Sequence, residues 1–217
     1  MKPDGIILDV DGTLWDSTHI VAKAWTRAVH EAGGLDLTVT ADMLKEQFGR
    51  TMDVITDNLF GNYLSLPKRR AVMKQCCVYE HEALVEDPCR IWYPGVPETI
   101  RALSDRVPVF IVSNCQTGYI ELFLEKTGLG PYITDTECFG NTGRPKDENI
   151  RLVAERNHLQ NPVYVGDTAG DQEAAQKAGV LFWFASYGFG QATACDAVLE
   201  RFSDLETLLC MNEKDSE

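Results

Sequence analysis

The chain has 217 residues, 44% hydrophobic and 24% charged, a globular composition in a chain long enough to bury about 70% of its unfolded surface. This excludes a disordered chain, a collagen-like repeat and a small disulfide scaffold, and predicts one large domain or one domain carrying a smaller insert. Lys+Arg number 20 against 33 Asp+Glu, a net charge of −13, which disfavours nucleic acid and anionic membranes as partners and points to a small ligand.

The first apolar run, residues 6–10 (IILDV), predicts a buried strand that ends in acids and a Gly-Thr turn. An acid inside this run is unlike a signal peptide. From Ser17 to about Glu86 apolar residues recur at helical spacing, as in Trp25, Ala28, Val29 and Ala32, or Val72, Cys76, Tyr79 and Ala83. Gly33-Gly34, Gly61 and Pro67 punctuate them, predicting about four helices. Pro94-Gly95 breaks the chain, and strands then alternate with helices. Helices are expected over 97–106, 119–127, 147–158, 171–178 and 205–210, with strands over 108–113, 133–138, 163–166 and 180–184. The charged tail MNEKDSE is expected to fray. Continuous apolar strands alternating with helices imply a parallel sheet covered on both faces, an α/β Rossmann-like core. Residues 1–16 plus 88–217 would form that core, and 17–87 an inserted helical cap. No run approaches the roughly 20 apolar residues of a membrane helix. Seven cysteines, an odd count without a C-x-x-C pair, predict free thiols in a reducing cytoplasm.

Ligands of open parallel sheets bind beyond the carboxyl ends of the strands. After the first strand come Asp9-Val10-Asp11-Gly12-Thr13, after the second Ser113-Asn114, and after VYV Gly166-Asp167 and then Asp171. Lys146 follows Pro145, a residue suited to the first helical position. Asp9 and Asp11 are two apart, so an extended chain aims both the same way. Such grouped carboxylates call for a hard cation, and Mg²⁺ accepts a few carboxylates, waters and a phosphate. An ammonium in a first helical turn opposes the helix dipole unless an anion faces it. A hydroxyl and backbone N–H groups at Ser113-Asn114 suit phosphate oxygens.

These residues, in this order, resemble the haloacid dehalogenase superfamily, in the branch of phosphoglycolate phosphatases and β-phosphoglucomutases whose helical cap follows the first motif. The resemblance spans essentially the whole chain. It implies that Asp9 is the nucleophile and forms an aspartyl-phosphate, and that Asp11 is the general acid and then base. It implies that Asp9, Asp11 (through its backbone carbonyl) and Asp167 hold Mg²⁺, with Asp171 supporting. Ser113 and Lys146 would act on the phosphoryl group, with Gly12, Thr13 and Asn114 beside them. Arg50, in Phe48-Gly49-Arg50-Thr51 of the cap, would pair with a second anionic group of the substrate through its planar fork. Trp15, Gln116 and Thr168 lie next to motif residues.

The expected activity is a Mg²⁺-dependent phosphatase of small organic phosphates, with a phosphorylated metabolite as partner and no obligate protein partner. A sugar-phosphate mutase would use the same residues and need further cap cations, for which the sequence offers Arg50, with Lys68, Arg69 and Arg70 in a cluster too polar to be placed. A phospho-accepting regulatory module is the non-enzymatic alternative, although such modules lack the insert. A dehalogenase needs neither the metal nor the Asp11-Gly12-Thr13 pattern. Gly188-Phe189-Gly190 lacks the third glycine of a dinucleotide turn, and Gly140 and Gly143 lack P-loop spacing before Lys146.

Overall fold

The computed structural model describes residues 3–214. Strand β1 (Gly5–Leu8) is followed by helices α1 (Thr18–Ala28), α2 (Ala41–Lys45), α3 (Met52–Phe60) and α4 (Leu66–Glu86). The chain continues through α5 (Val96–Ser104), β2 (Val109–Ser113), α6 (Tyr119–Thr127), β3 (Asp135–Cys138), α7 (Phe139–Thr142) and α8 (Lys146–Arg156). It ends with β4 (Pro162–Gly166), α9 (Ala169–Ala178), β5 (Leu181–Ala185), β6 (Ala197–Leu199) and α10 (Asp204–Lys214).

The six strands form one all-parallel sheet in the order β3-β2-β1-β4-β5-β6. The three middle strands are buried along their whole length, which is why they read as unbroken apolar runs. Alternation along β1 splits the core. Ile6 and Leu8 face one cluster with α5, α6 and α10, whereas Ile7 faces a second with α8 and α9. The first cluster runs on into the inserted helices through Val21, Trp25, Phe60 and Leu84. Strands β2 and β3 are added on one side of β1 and β4 to β6 on the other, so the order of winding reverses beside β1 and the ends of β1, β2 and β4 meet at one crevice.

The two connections to the insert lie side by side. Asp16 N–H donates to Ile91 O at 2.9 Å and Tyr93 N–H to Leu14 O at 3.0 Å. Trp15 is fully buried there, ringed edge-on by Tyr119 and Phe123. Gly33-Gly34 ends a π-helical turn that continues α1, with Gly34 at φ +63°.

Several sequence expectations shift. Helix α9 begins at Ala169, not Asp171, because the Thr168 hydroxyl accepts from Asp171 N–H while the Asp171 carboxylate accepts from Thr168 N–H, a capping box. Pro145 is the residue before α8, and Lys146 opens the helix. Pro67 sits within the first turn of α4 and so marks the start of that helix. Strand β6 was not expected, since three residues at a sheet edge with Val198 half exposed leave little pattern. Helix α10 continues to Lys214, four residues into the tail MNEKDSE; residues 215–217 of that tail lie outside the described residues. No helix among the described residues is long and apolar enough to cross a membrane.

Candidate active site

Asp9 leaves the end of β1 and is 1% exposed. The Lys146 ammonium, at the first residue of α8, lies 3.0 Å from Asp9 Oδ1, out of line for a hydrogen bond, and 2.5 Å from Asp171 Oδ1. Burial pushes Asp9 up to about 6, against the pull of Lys146 and the Ser113 hydroxyl. Burial also works against the Lys146 ammonium, but Asp171 and Asp9 outweigh it and its net shift is upward.

The Asp11 carboxylate turns away from that cluster. Its Oδ1 accepts from the Tyr119 hydroxyl at 2.7 Å, the Trp15 indole at 3.0 Å and the Ser17 hydroxyl at 3.1 Å. Burial raises it to about 7, opposed by the Tyr119 bond and assisted by the charge of Asp9. Trp15 therefore both packs the joint and orients Asp11.

Asp167 follows β4 and is fully buried. Burial first, then Asp171 and Asp9, drive its carboxyl well above the usual range. Its Oδ2 accepts from Phe189 N–H at 2.7 Å, and Thr13 Oγ1 lies 3.4 Å from Oδ1. Gly12, at φ +78°, passes so close that a Cβ there would sit 2.1 Å from Asp167 Oδ2. A Cβ at Gly188 would stand 2.3 Å from Asp167 Cβ. The Gly188-Phe189-Gly190 loop, set aside in sequence as a failed dinucleotide turn, therefore walls in Asp167.

Carboxylate oxygens of Asp9, Asp167 and Asp171 lie within 4.8 Å of one another. Both Asp171 oxygens are occupied: Oδ1 by Lys146, and Oδ2 by Thr168 N–H and Oγ1 and Asp167 N–H. Asp171 thus orients Lys146 and caps α9, whereas Asp9 Oδ1 has no hydrogen bond. Two buried acids pushed upward around an oxygen without a hydrogen bond suit a hard divalent cation. Asp9 and Asp167 fit that role; the side chain of Asp11 is not in the cluster.

Ser113 closes β2 beside Asp9 and is buried. Asn114 Nδ2 donates to Gly49 O of the insert at 2.8 Å, while its Oδ1 is buried without a partner. Arg50 is exposed, and its Nη1 donates to Glu46 O at 2.5 Å. It lines the mouth of the cavity between insert and sheet, but the contacts it makes are within the insert. Arg69 is held by Asp57 and Leu64 O, away from the cavity lining.

Sequence reading missed Glu80, Tyr119 and Ser17. Glu80 lies on α4 and is 3% exposed. It accepts from the Trp25 indole and from Gln116 Nε2, each at 2.7 Å, and burial raises it to about 7. Its signal was present: Val72, Cys76, Glu80 and Leu84 form one buried stripe at i+4 spacing, and a carboxylate inside such a stripe needs a reason.

A family model described as haloacid dehalogenase-like hydrolase matches residues 6–185. A phosphoglycolate phosphatase of Photobacterium profundum is 28% identical over 92% of this chain and 93% of its own. One of Yersinia pseudotuberculosis is 26% identical, over 93% and 90%. Among solved structures, a predicted phosphoglycolate phosphatase of Haemophilus somnus superposes with TM-score 0.83 at 22% identity, covering 96% and 98% of the two chains. A haloacid dehalogenase-like hydrolase of Streptococcus pneumoniae gives 0.79 at 18%, covering 96% and 98%. At these identities the structural likeness is one of fold.

Proposed function

The chain belongs to the haloacid dehalogenase-like hydrolases, as an enzyme of the phosphatase kind, and from that premise we propose that it is a Mg²⁺-dependent phosphatase of small organic phosphate monoesters. Residues 17–87 act as the cap over the site. The reading rests on one observation: two neighbouring carboxyls in opposed settings, Asp9 against Lys146 and Asp11 held through one oxygen by three donors. Such a split is what a nucleophile and a proton donor require.

A carboxylate oxygen of Asp9 attacks phosphorus, the bond from phosphorus to the alcohol oxygen breaks, and the leaving oxygen takes the Asp11 proton. The Asp11 carboxylate then removes a proton from water, whose oxygen attacks the aspartyl-phosphate, releasing phosphate and Asp9. Lys146 and Ser113 hold phosphoryl oxygens, with backbone at Gly12, Thr13 and Asn114 close by. Asp9, Asp167 and the backbone carbonyl of Asp11 would hold Mg²⁺, which supplies positive charge to the phosphoryl oxygens and favours ionised Asp9. Arg50 acts at the cavity mouth. The seven cysteines are free, which suits a reducing compartment such as the cytoplasm, and the proposed partner is a small phosphorylated metabolite. The mutase reading has less support, since Arg69 of its candidate cations is paired within the insert.

The test is phosphate release from a panel of phosphorylated metabolites. Asp9→Asn should abolish it in a folded protein, and EDTA should silence the wild type until Mg²⁺ is restored. Turnover by Asp9→Asn, or turnover indifferent to EDTA, overturns the mechanism.

A further inference from the structure

Beside Asp11 the cavity continues away from the phosphoryl end, between the insert and the loop after β2. One wall is apolar, made by Phe48, Met52 and Ile55; the other is polar, made by Glu80, Asn114 and Gln116. Asp11 protonates the leaving oxygen, so this chamber is where the alcohol part of the ester lies. It is small, with room of about 30 Å³, on the scale of two or three waters at about 10–15 Å³ each.

Many of the donors in this chamber already have partners within the protein. The Trp25 indole and the Gln116 amide both point at Glu80. One N–H of the Asn114 amide is spent on Gly49 O, which also fixes which way that amide faces. The Tyr119 hydroxyl, Ser17 and Trp15 are spent on Asp11. Two acceptors stand open among the lining side chains: the Glu80 carboxyl, with further lone pairs, and Asn114 Oδ1, buried without a hydrogen-bond partner. Arg50, the one cation among the described residues lining the chamber, is exposed at its mouth.

We propose that the physiological ester carries, on a short alcohol, a hydrogen-bond donor, a hydroxyl or an ammonium, that is received by Asn114 Oδ1 and Glu80, and that a carboxylate at that position is rejected. This deepens the phosphatase reading and rests on it. A carboxylate is acceptor-only, would meet a carboxyl and an amide oxygen, and would leave Asn114 Oδ1 unsatisfied. A hydroxyl or ammonium satisfies that oxygen, and an ammonium also gains from the charge of Glu80. The related phosphatases are named for phosphoglycolate, whose alcohol bears a carboxylate. On this reading the present chain has a different substrate.

The experiment compares four esters of two-carbon alcohols: ethyl, 2-hydroxyethyl, 2-aminoethyl and carboxymethyl phosphate, the last being phosphoglycolate. Values of kcat/KM are measured with Mg²⁺ at pH 8, where Glu80 is ionised. The hydroxyethyl or the aminoethyl ester should exceed the carboxymethyl ester by roughly tenfold or more, the scale set by one unsatisfied buried acceptor. Which of the two leads tells hydroxyl from ammonium, and either supports the proposal. Glu80→Gln should narrow that ratio, and comparing ratios between variants removes differences in intrinsic leaving-group reactivity. Carboxymethyl phosphate as an equal or better substrate of the wild type overturns the proposal, as does a folded Glu80→Gln with an unchanged ratio. Should that variant not fold, the wild-type ratios decide alone. Phosphate release from none of the four, nor from p-nitrophenyl phosphate, instead sinks the phosphatase reading itself and the proposal with it.

Discussion

Asp11 gains its character from side chains that the sequence scatters. Tyr119 lies 108 residues away, and its hydroxyl makes the shortest bond to Oδ1, at 2.7 Å. That bond stabilises the carboxylate, so it holds the group down against burial, which lifts it to about 7. Removing the hydroxyl must therefore raise Asp11 further. On the proposed mechanism Asp11 acts protonated in the first chemical step, and kcat/KM should fall as pH rises through its pKa. Tyr119→Phe should move the alkaline limb of the kcat/KM profile upward by roughly one unit, the lower end of what one hydrogen bond to a charged group is worth. Trp15 and Ser17 still orient the carboxyl, and the ring keeps its edge contact with Trp15. A limb that stays put or moves down would show that Asp11 is not the group being titrated.

Between elements, the loop from β5 to β6 sets the position of Asp167. Phe189 N–H holds one carboxylate oxygen, and Gly188 lies where a methyl would be 2.5 Å from that oxygen and 2.5 Å from Gly12 O. Gly188→Ala must displace Asp167 or the turn at Gly12. It should destabilise by about 1–3 kcal/mol, as overpacking does, and raise the Mg²⁺ concentration needed for half-maximal activity. Gly130→Ala, whose methyl meets nothing within 4 Å, is the control and should change neither. An unaltered Mg²⁺ requirement in Gly188→Ala would count against Asp167 as a ligand. The same loop shows where sequence reading ran out. Strand-end residues such as Asp9, Ser113 and Asp167 were legible because each directly follows an apolar run. Gly188 was weighed only against a dinucleotide spacing, and its real neighbour is 21 residues back. Strand β6 is too short and too exposed to carry a pattern. The start of α9 was legible in Thr168-Ala169-Gly170-Asp171, whose cap spacing was there to be read. Glu80 interrupts an apolar stripe of α4, but nothing local reveals that its partners come from α1 and the loop after β2.

Across the whole molecule, the insert and the sheet share one apolar cluster, and buried acids sit where the two parts meet. Asp9, Asp11, Glu80 and Asp167 are all raised, each first by burial. An acid raised on folding binds its proton more tightly in the native state. Native stability then falls as pH climbs from the ordinary value to the folded one, and it is best below that window. For Glu80 the window runs from 4.5 to about 7, a span of roughly 3 kcal/mol at 1.36 kcal/mol per unit. Between pH 5.5 and 8 about 2 kcal/mol of it should be lost. Glu80→Gln cannot titrate there, and its NH2 meets a donor from Trp25 or Gln116 unless the Gln116 amide turns its oxygen inward. It should start less stable by about 1–3 kcal/mol and lose less as the pH rises. Urea unfolding of both proteins in EDTA, which removes competition from metal at Asp9 and Asp167, measures the two slopes. Converging stabilities toward pH 8 fit a buried acid that links insert to sheet at a cost in alkaline solution. Parallel slopes would mean that Glu80 titrates as an ordinary surface acid, and a steeper slope in Glu80→Gln would reverse the sign of its coupling to folding.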